Sequence, residues 1–196
     1  MHPLPQLCSV LTEQARFSIC QSLVKKGVFL LLEDDRVLAI DPMNLGFGFA
    51  VLEGATRLID WGIRDTGHAD NARSLRLAEV LLDHYVPDAL IVEDTDDNSS
   101  RQSARVRTLI KAISEIARTR GVAVHMVSRR EVLEVFGHVG APTKELSAAV
   151  IIEHFEEFAP RKPPHRKPMS EDVSGSIFDA TAMALVTGIL REPLGQ

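Results

Sequence analysis

The stretch from Val37 to Gly54, VLAIDPMNLGFGFAVLEG, limits what this chain can become more than any other. An apolar run suited to a sheet interior stops at Asp41, turns through Pro42, Met43 and Asn44, and resumes from Phe47. With Arg57 to Ile63 it makes three short strands, Val37 to Asp41, Gly46 to Leu52 and Arg57 to Ile63, separated by brief turns, which predicts an antiparallel meander. An acid at the end of a buried strand needs a partner.

The rest of the chain alternates helix and strand. Leu75, Ala78, Leu81 and Leu82 fall at helical spacing within Asn71 to Tyr85, and Val86 to Asp88 leads into a buried strand, Ala89 to Glu93. Val106, Leu109, Ile110, Ile113, Ile116 and Ala117 make one apolar helix face, closed by Gly121. Val122 to Val127 is a fifth strand, followed by helices over Arg129 to Phe136, Thr143 to Phe158 and Val173 to Leu190. The order βββαβαβααα predicts an α/β fold: a mixed five-stranded sheet with helices on both faces, reached through right-handed crossovers.

In that arrangement the strand ending at Asp41 lies beside the strand ending at Glu93, at the carboxyl edge where open α/β sheets place their sites. A third acid, Asp179, sits among Ile177, Phe178 and Ala180 to Leu185, where a lone carboxylate costs several kcal/mol unless it meets a cation or donors. Three carboxylates converging without His or Cys describe a hard oxygen site for Mg²⁺ or Mn²⁺. Two such ions about 4 Å apart hydrolyse phosphodiesters.

Charge narrows the partners. The net charge of -5 argues against a generic polyanion binder, yet residues 1–98 carry 8 basic against 16 acidic side chains and residues 99–196 carry 14 against 11. Eight basic residues (Arg101, Arg105, Arg107, Lys111, Arg118, Arg120, Arg129 and Arg130) lie between Ser99 and Arg130, and PRKPPHRKP adds Arg161, Lys162, Arg166 and Lys167. Such clusters either contact nucleic-acid phosphates or form solvated surfaces. No apolar run approaches the roughly 20 residues a spanning helix needs, and no secretory signal is recognisable, so the expected compartment is the cytoplasm. Cys8 and Cys20 lack partners at zinc spacing.

Four segments in order, LAIDPMNLGFGFAVL, PDALIVED, SRREVLEVFGHVGAPTKELSAAVI and FDATAMAL, resemble the RuvC family of Holliday-junction resolvases, of the ribonuclease-H-like superfamily. The resemblance runs from Val37 to Leu190 and implies a metal-dependent, structure-selective DNA endonuclease acting on branched DNA as a homodimer. It implies that Asp41, Glu93 and Asp179 are ligands to two Mg²⁺ or Mn²⁺ ions, and that Lys144, opening a helix after GAPT, lies near the scissile phosphate. Arg101, Arg105, Arg129, Arg130, Lys144, Arg161, Lys162, Arg166 and Lys167 are the expected nucleic-acid contacts.

The chain departs from the family at three places. Met43 stands where the family turn has Gly; Ser176 stands where a further acid is common; and Thr95, Asp96 and Asp97 replace the large apolar residue that follows the catalytic Glu. Asp172, seven residues before Asp179, either supplies the missing ligand through a bend near Ser174 and Gly175 or caps the last helix, being about 10.5 Å away along a straight one. Residues 1–35 form an N-terminal extension, in which Leu11, Ala15, Ile19 and Leu23 permit an amphipathic helix, ahead of a nuclease domain over 36–196. The alternative function is a RuvC-like nucleic-acid-binding module with weak or lost cleavage.

Overall fold

A computed structural model describes residues 35–54, 57–67, 69–161 and 175–189. Residues 1–34 of the extension with its two cysteines, the side chain of Arg161, residues Lys162, Arg166 and Lys167 of the basic insert, and Asp172 therefore lie outside the described residues.

The strands are β1 (Arg36–Met43), β2 (Gly46–Glu53), β3 (Arg57–Asp65), β4 (Ala89–Glu93) and β5 (Ala123–Val127). The helices are α1 (Asn71–Tyr85), α2 (Ala104–Thr119), α3 (Arg129–His138), α4 (Lys144–His154), a 3-10 turn (Glu156–Arg161) and α5 (Gly175–Ile189). One sheet runs in the order β3-β2-β1-β4-β5. The first three strands form the antiparallel meander, and β4 and β5 add in parallel. This is the mixed sheet the element order predicts, with β1 beside β4.

Strand alternation assigns the two faces. Leu38, Ile40, Phe49, Leu90 and Val92 pack with Ala78, Leu81, Leu109, Ile110 and Ile113 under α1 and α2. Val37, Ala39, Ala50, Leu52 and Ile91 pack on the opposite face with Val135, Phe136, Ala148, Ile151, Ile177, Ala180 and Met183 of α3, α4 and α5. Side-chain caps start the helices: Asp70 for α1, Ser103 for α2, Ser128 with Glu131 in a capping box for α3, and Thr143 for α4.

Several element boundaries move by a residue or two from the sequence reading, and two of the differences have a physical cause. β1 does not stop at Asp41 but continues, with Pro42 paired to Phe47 and Met43 to Gly46, so the turn is Asn44 and Leu45. Pro42 is tolerated because β1 pairs with β4 only as far as Ala39, so no ladder bond is lost on that side. The turn dispenses with a glycine at position 43; the positive φ, 137°, falls at Gly46 instead. The helix read over Thr143 to Phe158 breaks at Phe155, whose φ of -127° and ψ of 96° are extended. The following 3-10 turn swings Phe158 between Trp61 and Phe178, with ring centroids 4.8 and 5.5 Å away. The apolar period was real, but aromatic packing takes up its last turn. Among the described residues no helix is long and apolar enough to cross a membrane.

Candidate active site

β1 and β4 part company after one particular pair, Ala39 with Ile91. Asp41 and Glu93 each lie two residues further on, so both carboxylates fall on the same face as Ala39 and Ile91, the face covered by α5. Beyond the last pair β1 remains bonded to β2 and β4 to β5, with Glu93 opposite Val127. The two acids stand on either side of this fork. Both are buried, at 8% and 7% exposure.

Asp179 comes to them on α5, and a strand glycine lets it. Gly48 is the β2 partner of Asp41, and a Cβ there would lie 2.5 Å from the Ser176 carbonyl carbon and 2.6 Å from the Ile177 nitrogen. The first turn of α5 thus rests on the β2 backbone beside Asp41, and Asp179 follows one turn later. Ser176 is buried against Gly48, so it does not line the cleft where a further acid would be expected.

The cleft, about 690 Å³ with its open mouth, is lined by Asp41, Glu93 and Asp179, with Lys144 and Arg129. Its apolar side includes Val132, Leu133, Ile151 and Met183. Lys144 opens α4 and forms an ion pair with Asp179, Nζ donating to Oδ2. Arg129 opens α3. Burial first, and then the negative charge of Asp179, push the Asp41 carboxyl well above its ordinary range; Lys144 pulls it down, Glu93 pushes it up and Arg129 pulls it down. Oε2 of Glu93 accepts from Gln102 Nε2 at 2.6 Å, while its Oε1 is buried without a hydrogen-bond partner.

The donor set suits a hard divalent cation. The oxygens are carboxylate, one of them is buried and unpartnered, and burial together with the neighbouring negative charge opposes ionisation of Asp41 in the absence of a cation. Among the described residues no three His, Cys, Asp or Glu side chains are already gathered into a metal-holding cluster. In this state Lys144 supplies the cation at Asp179.

The predicted phosphate contacts divide. Lys144 and Arg129 line the cleft, and Arg101 is exposed. Arg105 turns inward, donating to Asn71 Oδ1 and to the carbonyls of Met43 and Asn44, and so clamps the β1–β2 turn against α1. Arg130 pairs with Asp97 at 3.1 Å. Sequence reasoning missed Gly48 and Gln102. A glycine inside an apolar strand, GFGF, was the available signal for close backbone approach; Gln102 carried none.

No family model matches the chain, and no curated protein matches it in sequence. Solved structures do. The Thermus thermophilus RuvC structure matches with a TM-score of 0.58 at 20% identity, over 77% of this chain and 92% of that one. T. thermophilus RuvC in complex with a Holliday junction substrate matches at 0.56 and 20%, over 78% and 91%. The yeast mitochondrial Holliday junction resolvase Ydc2 matches at 0.58 and 15%, over 94% and 95%. The fold is that of RuvC. At these identities the agreement lies in the path of the sheet and the helices over it.

Proposed function

We propose that this chain is a divalent-metal-dependent endonuclease for branched DNA, acting as a homodimer. The observation that carries the reading is the convergence of Asp41, Glu93 and Asp179 on one cleft at the fork between β1 and β4 of a RuvC-like fold. Asp41, Glu93 and Asp179 would hold Mg²⁺ or Mn²⁺. Ions bound there would supply the charge that activates water and stabilises the leaving oxygen in phosphodiester hydrolysis.

The chain's own groups contribute the rest. With a cation held at Asp179, Lys144 would be free to turn its ammonium to the scissile phosphate, and Arg129, at the start of α3, would add a second positive charge. The apolar side of the cleft limits water around the acids and raises the weight of every charge inside. The T. thermophilus RuvC complex with a Holliday junction supports branched DNA as the substrate class.

Cleavage of labelled four-way junction, flap, duplex and hybrid substrates is the test, in Mg²⁺, in Mn²⁺ and in chelator. The expected result is junction cleavage that needs the metal and is lost in Asp41→Asn, Glu93→Gln and Asp179→Asn. Equal cleavage in excess chelator ends the mechanism. A second reading, a binding module without efficient cleavage, is favoured by Ser176 in place of a further acid and by the acids not being pre-gathered. Tight, metal-independent junction binding with no product from any substrate would select it.

A further inference from the structure

Nine residues after Glu93 ends β4, the chain returns to it. The side-chain amide of Gln102 donates from Nε2 to Glu93 Oε2 at 2.6 Å. A carboxylate can only accept here, so the amide nitrogen is the atom that faces it. The Gln102 main chain is itself held: Arg107 Nε donates to its backbone carbonyl at 3.0 Å, and its backbone N–H donates to Ser100 Oγ at 3.4 Å. The next residue, Ser103, caps α2. Gln102 is therefore tied to the start of a rigid helix, although it lies in the connection between β4 and α2.

This fixes only one oxygen of Glu93. Oε1 remains buried without a hydrogen-bond partner, in a cleft that also holds Asp41 and Asp179. A buried, unpaired carboxylate oxygen is costly unless something positive comes to it. Three rotatable side-chain bonds would otherwise let Glu93 turn Oε1 aside.

We propose that Gln102 is the positioning residue of Glu93: it engages Oε2, stops rotation of the carboxylate, and reserves Oε1 for the divalent cation, with Arg107 holding Gln102 in place. The proposal rests on the metal-dependent reading above and adds to it the residue that orients one ligand. Partners of this kind contribute about ten- to a hundredfold to metal affinity in metalloproteins generally.

The experiment is a Mn²⁺ titration of the full chain by calorimetry and by paramagnetic resonance, without DNA. It compares the unsubstituted protein with Gln102→Met, Glu93→Gln and the double variant, each checked for cooperative unfolding. Methionine keeps the length of glutamine but removes the donor. Gln102→Met is expected to weaken Mn²⁺ binding about ten- to a hundredfold. Added to Glu93→Gln, it is expected to weaken binding less than about twofold, because a residue that acts through Glu93 has nothing left to orient. Cleavage by Gln102→Met is expected to need more Mg²⁺ yet to recover its kcat at saturating metal. Unchanged Mn²⁺ affinity in a folded Gln102→Met overturns the proposal, as does an equal loss in both backgrounds. Should Gln102→Met not fold, Arg107→Ala, which leaves both side chains of the pair intact, must weaken Mn²⁺ binding in the same direction; unchanged affinity there overturns it equally. Failure of the unsubstituted protein to bind Mn²⁺ would instead remove the metal-dependent reading, and this proposal with it.

Discussion

Burial and the charge of Asp179 raise the carboxyl of Asp41 above the value it has in the unfolded chain. A group shifted in that direction contributes stability in full below its unfolded pKa and loses it as pH rises through the folded one. At neutral pH, above the unfolded value, the metal-free protein has therefore lost stability at Asp41, whose surroundings oppose its charge. Asp41→Asn is predicted to unfold at higher temperature than the native chain in chelator at pH 7, with the gap closing as pH falls into the ordinary carboxylate range. A native chain equal or superior in stability at pH 7 would contradict this. Mg²⁺ is expected to raise the melting temperature of the native chain and not of the variant. Lys144 makes a related prediction with opposite signs for two readouts. Its ammonium is half-exposed and competes with a cation for Asp179, so Lys144→Ala is expected to bind Mn²⁺ roughly two- to fivefold more tightly while cleaving poorly. Weaker Mn²⁺ binding in that variant would show that Lys144 organises the acids instead of masking one.

Between elements, the decisive contact is the one α5 makes with β2. Gly48→Ala would place a methyl 2.5 Å from the Ser176 backbone, so α5 must lift and take Asp179 with it. The predicted cost is about 1–3 kcal/mol, accompanied by weaker metal binding. Gly137→Ala is the matched control: beyond the backbone of α3 itself nothing lies within 4 Å of the added Cβ, and a gain of about 0.5 kcal/mol is expected. Loss of the same size at both glycines would refute the close-approach argument. Arg105→Ala is expected to act through the β1–β2 turn, costing about 1.5–3 kcal/mol while leaving the salt dependence of DNA binding unchanged. A slope lowered by about one unit would return Arg105 to phosphate binding. These cases show what a sequence discloses at this scale. The strand order, both crossovers and the placement of Asp41 beside Glu93 follow from local apolar periods and from handedness, which act along short windows. The closeness of α5, the inward turn of Arg105 and the return of Gln102 to Glu93 depend on distances between segments far apart in the chain. Nor could composition distinguish a helix ending at His154 from one reaching Phe158, because the aromatic rings that redirect the chain belong to β3 and α5.

At the scale of the whole molecule, paired cuts across a four-way junction require two active sites related by a two-fold axis. The outer face of α2 offers a surface for such pairing: Ala104 and Thr108 are exposed and Ala112 half-buried, beside the stripe from Val106 to Ala117 that the sheet already covers. Sedimentation at micromolar concentration, with and without junction DNA, is predicted to show a dimer that Thr108→Arg dissociates. A chain that cleaves as a monomer in both conditions would be a nicking enzyme. The fork between β1 and β4 has a further consequence, for the timing of activity during synthesis. Two of the three carboxylates belong to strands made early, whereas Asp179 follows every strand of the sheet in the order of translation. A growing chain can complete the sheet and the crossover helices around Asp41 and Glu93 while its cleft still lacks one wall and one acid. Any chemistry that needs all three acids therefore waits on the translation of α5.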